Sequence, residues 1–182
     1  ADMAFFYFSG HGAITSRGGF LCTYDAQGND EGVSLQDIIA LVNGSPVKEV
    51  VIILDCCFSG SMGSIPSVSQ NVSIIKEGTS ILTASRDNET AAELNGSGIF
   101  TSLVRDALSG SAADLMGVIT PAGVYSHVEQ SFGAWEQRPL FKSHVSRSTP
   151  LRMTRPKVSP DVLRNITHYF NNFHQQKIAK VG

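Results

Sequence analysis

The order of strand-like and helix-like segments predicts an α/β protein with a mainly parallel sheet. Three observations carry that expectation. Short apolar runs at 4–8, 50–54 and 80–84 have the length and the β-branched or aromatic content of buried strands. Amphipathic stretches beginning near Ser34 and Phe100 fall between and after those runs. Val50-Val51-Ile52-Ile53-Leu54 is apolar at every position, as a strand covered on both faces requires.

Taken in order, Ala4-Phe5-Phe6-Tyr7-Phe8 reads as a buried strand that ends in a glycine loop, Ser9-Gly10-His11-Gly12. A loop with Asp25, Gly28, Asn29 and Asp30 supplies turn chemistry and room for a hairpin. Ser34 then stands as N-cap, with Asp37 three residues on in a capping-box position. Leu35, Ile38, Ile39 and Val42 form the apolar stripe of that helix, and Asn43-Gly44 stops it. The Val50–Leu54 strand ends in Asp55-Cys56-Cys57-Phe58-Ser59-Gly60, and the Ser/Gly-rich stretch 59–73 reads as a loop. Ser80-Ile81-Leu82-Thr83-Ala84 is a third buried strand, followed by a helix over 100–108 that ends near Ser109-Gly110. Thr120 before Pro121 is a helix start, with a helix to about Phe132 and a last strand over 139–145. Ser159-Pro160 opens a further helix through Val162, Ile166, Tyr169 and Phe170. Arg, Pro, Ser and Thr dominate 147–160, so the chain divides into a domain over 1–146, a linker over 147–160 and a C-terminal helix over 161–182.

Bulk properties exclude several functions. The 182 residues suffice for one domain with a core, and 42% hydrophobic against 16% charged residues is ordinary for a globular protein. A net charge of −2 without any basic run argues against a nucleic-acid or anionic-membrane surface. The longest apolar stretch, Val50 to Leu54, is far too short to cross a bilayer. Three cysteines, Cys22, Cys56 and Cys57, form no disulfide framework and suit a reducing compartment, so a cytoplasmic location is expected. They also lack the spacing of a zinc site, and neither a metal nor a cofactor is expected. Asp25, Asp30 and Glu31 carry carboxylates that calcium could use, but scattered loop carboxylates read as solvated. His127, His144, His168 and His174 have no partner pattern and read as surface or packing residues, and Trp135 as core.

The chemistry sits at two strand ends. In an open α/β sheet, reactive groups gather at the carboxyl ends of strands. One strand here ends in Gly10-His11-Gly12 and another in Asp55-Cys56-Cys57. If the two strands are neighbours, an imidazole and a thiol share one crevice. An imidazole turns a thiol into a thiolate near neutral pH, and glycines let backbone N–H groups approach a substrate carbonyl.

These residues also resemble a known family. Phe6-Tyr7-Phe8-Ser9-Gly10-His11-Gly12 is similar to the Tyr-Ser-Gly-His-Gly segment of caspases, metacaspases and bacterial orthocaspases. Asp55-Cys56-Cys57-Phe58-Ser59-Gly60 resembles the Asp-x-Cys-x-Ser-Gly segment that carries the metacaspase nucleophile. The run from Thr83 to Glu93 resembles the metacaspase segment Ser-Gly-Cys-Lys-Asp-Asp-Gln-Thr-Ser-Ala-Asp without a gap. Phe58 departs from the usual metacaspase histidine. The family's sheet also has two strands before the histidine strand, whereas this sequence opens on that strand. The sheet is therefore expected to lack its first strands here, or to receive them from a missing N-terminal segment or another chain.

The resemblance implies a caspase-like fold and a cysteine endopeptidase acting on protein or peptide substrates. Cys57 would be the nucleophile and His11 its partner, with the N–H groups of Gly12 and Cys57 stabilising the oxyanion. Asp55 and Asp87 match the two aspartates that give metacaspases a preference for Arg, then Lys. A carboxylate pair facing a guanidinium is a sound physical basis for that choice. Relatives often cut themselves after the nucleophile strand, and Lys76 is the one basic residue between Cys57 and Arg86, hence the candidate self-processing site. The chain would then be the effector domain of a larger, signal-gated protein. The competing readings are an inactive caspase-like scaffold and another hydrolase of the same clan with different pocket residues.

Overall fold

A computed structural model of the chain describes residues 2–26, 30–58, 75–84, 93–94, 97–132 and 138–169, with the backbone alone at 57, 58, 93, 94, 97 and 169. Its centre is a six-stranded mixed sheet. The strands are β1 (Met3–Thr15), β2 (Gly18–Leu21), β3 (Val33–Ser34), β4 (Glu49–Phe58), β5 (Thr79–Thr83) and β9 (Leu140–His144), ordered β3-β2-β1-β4-β5-β9. The three central strands, β1, β4 and β5, run parallel, and the outer pairings are antiparallel. Two small two-stranded sheets accompany it: β6 (Glu93–Leu94) with β7 (Ser97–Gly98), and β8 (Val118–Ile119) with β10 (Arg152–Met153).

Helices cover both faces. α1 (Leu35–Gly44) packs Leu35, Ile39 and Val42 against Val50, Ile52, Leu54 and Cys56 on one side of β4. α2 (Ile99–Asp106), continued by a wider π-type turn over Ala107–Ser111, and α3 (Pro121–Ser131) cover the other side. There Phe100, Val104, Val124 and Val128 meet Val51, Ile53 and Leu82. Val50 to Leu54 are each no more than 4% exposed, which is the two-sided burial that the unbroken apolar run predicts. Removing such a side chain from water contributes about 1.5–3 kcal/mol each, so this strand anchors both halves of the core.

The expected caps are present. Ser34 accepts hydrogen bonds from the N–H groups of Gln36 and Asp37, and Thr120 accepts one from Gly123 beside Pro121 at the start of α3. Two expectations change. Ser9-Gly10-His11-Gly12 is not a loop, because β1 continues through it to Thr15 and turns back at Ser16-Arg17 into β2. Strand pairing keeps these glycines extended: Gly10 faces Cys56 of β4, and Gly12 faces Phe58 of β4 and Leu21 of β2. Likewise Asp55-Cys56-Cys57-Phe58 belongs to β4 and does not follow it. The hairpin expected near Asp25 is the β2–β3 pairing, which brackets that loop.

The 147–160 segment carries β10. Its backbone ties to the 115–119 segment through Leu151 N to Ile119 O at 2.8 Å and Thr154 N to Gly117 O at 2.7 Å. Beyond it lie two short helices, α4 (Pro160–Arg164) and α5 (Ile166–Tyr169). Among the described residues no helix is long and apolar enough to cross a membrane.

Candidate active site

The site begins with strand register. β1 and β4 are adjacent and parallel, and their pairing sets Ser9 opposite Asp55, Gly10 opposite Cys56 and His11 opposite Cys57. Neighbouring strands lie about 4.8 Å apart, so His11 and Cys57 sit side by side near the carboxyl end of β4, with β1 running on past His11 to Thr15. Alternation then sorts the side chains. Val50, Ile52, Leu54 and Cys56 point into the α1 core, where Cys56 is 3% exposed. Position 57 falls on the opposite face of β4, the one occupied by Ile53 and Asp55.

His11 is exposed at this edge. It is braced on its far side, where its carbonyl accepts the N–H of Cys22 at 2.9 Å. The hairpin from β1 into β2 therefore holds the histidine strand against β4 instead of letting it fray. Gly10, next to His11, makes room for a ring: a Cβ there would lie 2.9 Å from Cζ of Phe8.

Asp55 is the best-tied group of the site. Oγ1 of Thr101, in α2, donates to its Oδ2, and Thr101 Oγ1 is in turn bonded to Oη of Tyr7 on β1. Gly98, just before α2, closes in from another side, where a Cβ would come within 3.0 Å of Asp55 Oδ2. Neither Tyr7, Gly98 nor Thr101 was expected from sequence as part of the site. For Tyr7 a signal existed, since strand alternation puts it on one face with Ser9 and His11. Thr101 lies 46 residues from Asp55, and no spacing rule links a helix residue to a strand carboxylate over that distance.

The remaining predicted residues divide clearly. Gly12 lies in β1 beside His11, opposite Phe58. Asp87 and Trp135 lie outside the described residues. Lys76 stands away from the strand ends, against the α1–β4 connection. Its ammonium donates to the carbonyls of Ser45 at 2.8 Å and Val47 at 2.5 Å, and its N–H donates to Oδ1 of Asn43 at 2.8 Å. Of the loop carboxylates, Glu31 pairs with Arg17 at 2.8 Å and Asp30 accepts the N–H of Gly32. A hydrogen bond from Thr23 holds Asp25 below the usual carboxylate range. Among the described residues no group of three or more His, Cys, Asp and Glu side chains could hold a metal ion.

A mixed sheet with mainly parallel central strands and helices on both faces is shared with solved structures. Caspase-1 from Spodoptera frugiperda superposes with a TM-score of 0.53 at 12% sequence identity, over 85% of this chain and 66% of that one. That likeness concerns the fold, and the chain spans 66% of the length of the protein it matches. No curated protein sequence matches the chain. The sequence model of the Caspase domain family matches residues 1–149, a stretch that contains the whole six-stranded sheet. With its fold and most of its length accounted for in this way, the chain belongs to the Caspase domain family, a family of cysteine peptidases.

Proposed function

We propose that this domain is a cysteine endopeptidase of metacaspase or orthocaspase type, cutting after Arg and, less readily, after Lys. The observation that carries the reading is the cross-strand pairing of His11 with Cys57, with Asp55 two residues earlier on the same strand face. In the proposed reaction the Cys57 thiolate attacks the scissile carbonyl, and the N–H groups of Gly12 and Cys57 take the oxyanion. The C–N bond breaks as His11 protonates the leaving amine, leaving a thioester on Cys57. Water then attacks the thioester, His11 takes its proton, and the carboxylic acid leaves as the thiol is restored.

Specificity rests on charge. Asp55 is a half-buried carboxylate on the strand face of position 57, suited to a guanidinium or ammonium and repelling to an aspartate. Asp87 is proposed as its companion. Lys76 stays the candidate self-processing site, and cutting there requires its hydrogen bonds to Ser45, Val47 and Asn43 to open first. The proposed setting is a larger cytoplasmic protein in which other segments gate this domain.

The test is labelling with an Arg acyloxymethyl ketone, compared between wild type and Cys57→Ala, together with a panel of peptides differing in the residue before the cut. Labelling of wild type alone, with turnover after Arg exceeding that after Asp, is the expected result. Labelling that survives Cys57→Ala removes Cys57 as nucleophile, and turnover that favours Asp removes the basic specificity.

A further inference from the structure

The Asp55 carboxylate is the end of a hydrogen-bonded chain that starts on the strand carrying His11. Thr101 Oγ1 donates to Asp55 Oδ2. A threonine hydroxyl has one proton, and once that proton is given to the carboxylate the oxygen can only accept. Tyr7 Oη is therefore the donor to Thr101 Oγ1. The direction is fixed: Tyr7 to Thr101 to Asp55, with the negative charge at the end. Acyl transfer uses neither hydroxyl.

The placement joins three elements at one point. Tyr7 lies on the face of β1 shared with Ser9 and His11, Thr101 lies in the first turn of α2, and Asp55 lies on β4. Gly98 presents bare backbone to the carboxylate, and an added Cβ would stand 3.0 Å from Oδ2 and 3.6 Å from Oδ1. A donor on one side and close backbone on another leave the carboxylate little freedom to turn.

We propose that Thr101, oriented by Tyr7, is a positioning residue that aims Asp55 at the basic side chain of the substrate and favours Arg over Lys. The proposal rests on the reading of Asp55 as the acid that selects a basic residue. A guanidinium donates through a planar fork and needs both carboxylate oxygens in its own plane, whereas an ammonium accepts the approach of any single oxygen. Thr101 occupies one lone pair of Oδ2, leaving the other and both pairs of Oδ1 for the fork. Removing the donor frees the carboxylate to rotate. Arg recognition then suffers more than Lys recognition.

The experiment uses the full chain with Thr101→Val, Thr101→Ser, Tyr7→Phe, Asp55→Asn and the Thr101→Val/Asp55→Asn double variant. It measures kcat/KM on matched Arg and Lys peptides and, independently of turnover, calorimetric binding of benzamidine. Losing a hydrogen bond to a charged group is expected to cost Thr101→Val about tenfold on the Arg peptide and in benzamidine affinity. The loss on the Lys peptide is smaller, Thr101→Ser stays near wild type, and Tyr7→Phe moves the same way by about threefold. In the Asp55→Asn background Thr101→Val has no further effect on either readout. If Asp55→Asn abolishes benzamidine binding while Thr101→Val leaves it and the Arg-to-Lys ratio unchanged, the relay is refuted and the reading of Asp55 stands. An equal loss on both peptides shared by Thr101→Ser marks a structural role and also overturns the relay. Benzamidine that fails to bind wild type, or binds regardless of Asp55→Asn, overturns the reading of Asp55 and the relay with it.

Discussion

Cys56 and Cys57 are neighbours in sequence at positions on opposite faces of β4. Cys56 lies 3% exposed among Ile52, Leu54 and Ile81, while position 57 is the register partner of His11. The Cys56→Ala variant should therefore lose about 1–2 kcal/mol of stability through a small cavity and keep its labelling by an Arg ketone. Cys57→Ala should do the reverse, losing labelling while denaturant unfolding stays near wild type. Denaturation curves and intact mass on the two variants check this, and exchanged outcomes would place the nucleophile at 56. The resemblance of the Asp-x-Cys register selects Cys57 in the sequence, and these two variants test that choice. The partners of Asp55 were a different matter. Tyr7 read as one more apolar strand residue and Thr101 as an ordinary helix position, because a contact between chain segments 94 residues apart leaves no local pattern.

At the scale of elements, apolar runs and caps were legible, and the glycines misled. A glycine cluster reads as a breaker because glycine is costly inside a strand. In β1 it serves a different need, close approach, since Gly10 makes room for the Phe8 ring while pairing with Cys56 of β4 keeps the strand extended. Burial patterns were legible only where both faces are covered. β4 has that cover, but β1 does not: along Met3–Gly10 it pairs with β4 alone among the described residues. Phe5, Phe6 and Tyr7 are 48%, 38% and 40% exposed there, though the run reads as a buried strand. An open, apolar strand edge is a template for pairing with another chain. Purified chain should accordingly self-associate as concentration rises, and Phe6→Lys should suppress this in light scattering. Because Phe6 is already partly in solvent, its replacement should shift stability by no more than about 1 kcal/mol. Unchanged scattering in Phe6→Lys would count against the β1 edge as the contact.

The molecule as a whole extends past the stretch that matches its family. The Caspase domain match ends at 149, and Arg, Pro, Ser and Thr from 147 onward have the composition of a linker. Yet Leu151 packs against the core beneath α2 and α3, and β10 pairs with β8. Arg152 Nη1 donates to the Leu108 carbonyl at 2.9 Å, and Lys157 Nζ donates to the Ala113 carbonyl at 2.6 Å. Composition could not reveal this, because backbone pairing with a two-residue strand requires no particular side chain. Gly117 shows how closely the two segments fit: it has φ 81°, and a Cβ there would stand 2.3 Å from the carbonyl oxygen of Thr154. A chain ending at 149 should thus be less stable than one ending at 169, since it loses the packing of the partly buried Leu151 together with the β8–β10 pairing. Gly117→Ala separates the fit from the backbone strain. In the longer chain it meets both the positive φ and the Thr154 carbonyl, whereas in the chain ending at 149 only the positive φ remains. Its cost, read by urea unfolding, should therefore be larger in the longer chain. Equal costs in the two chains, or equal stability of the two parents, would mean that 150–157 is a tail lying on the surface and not a part of the domain.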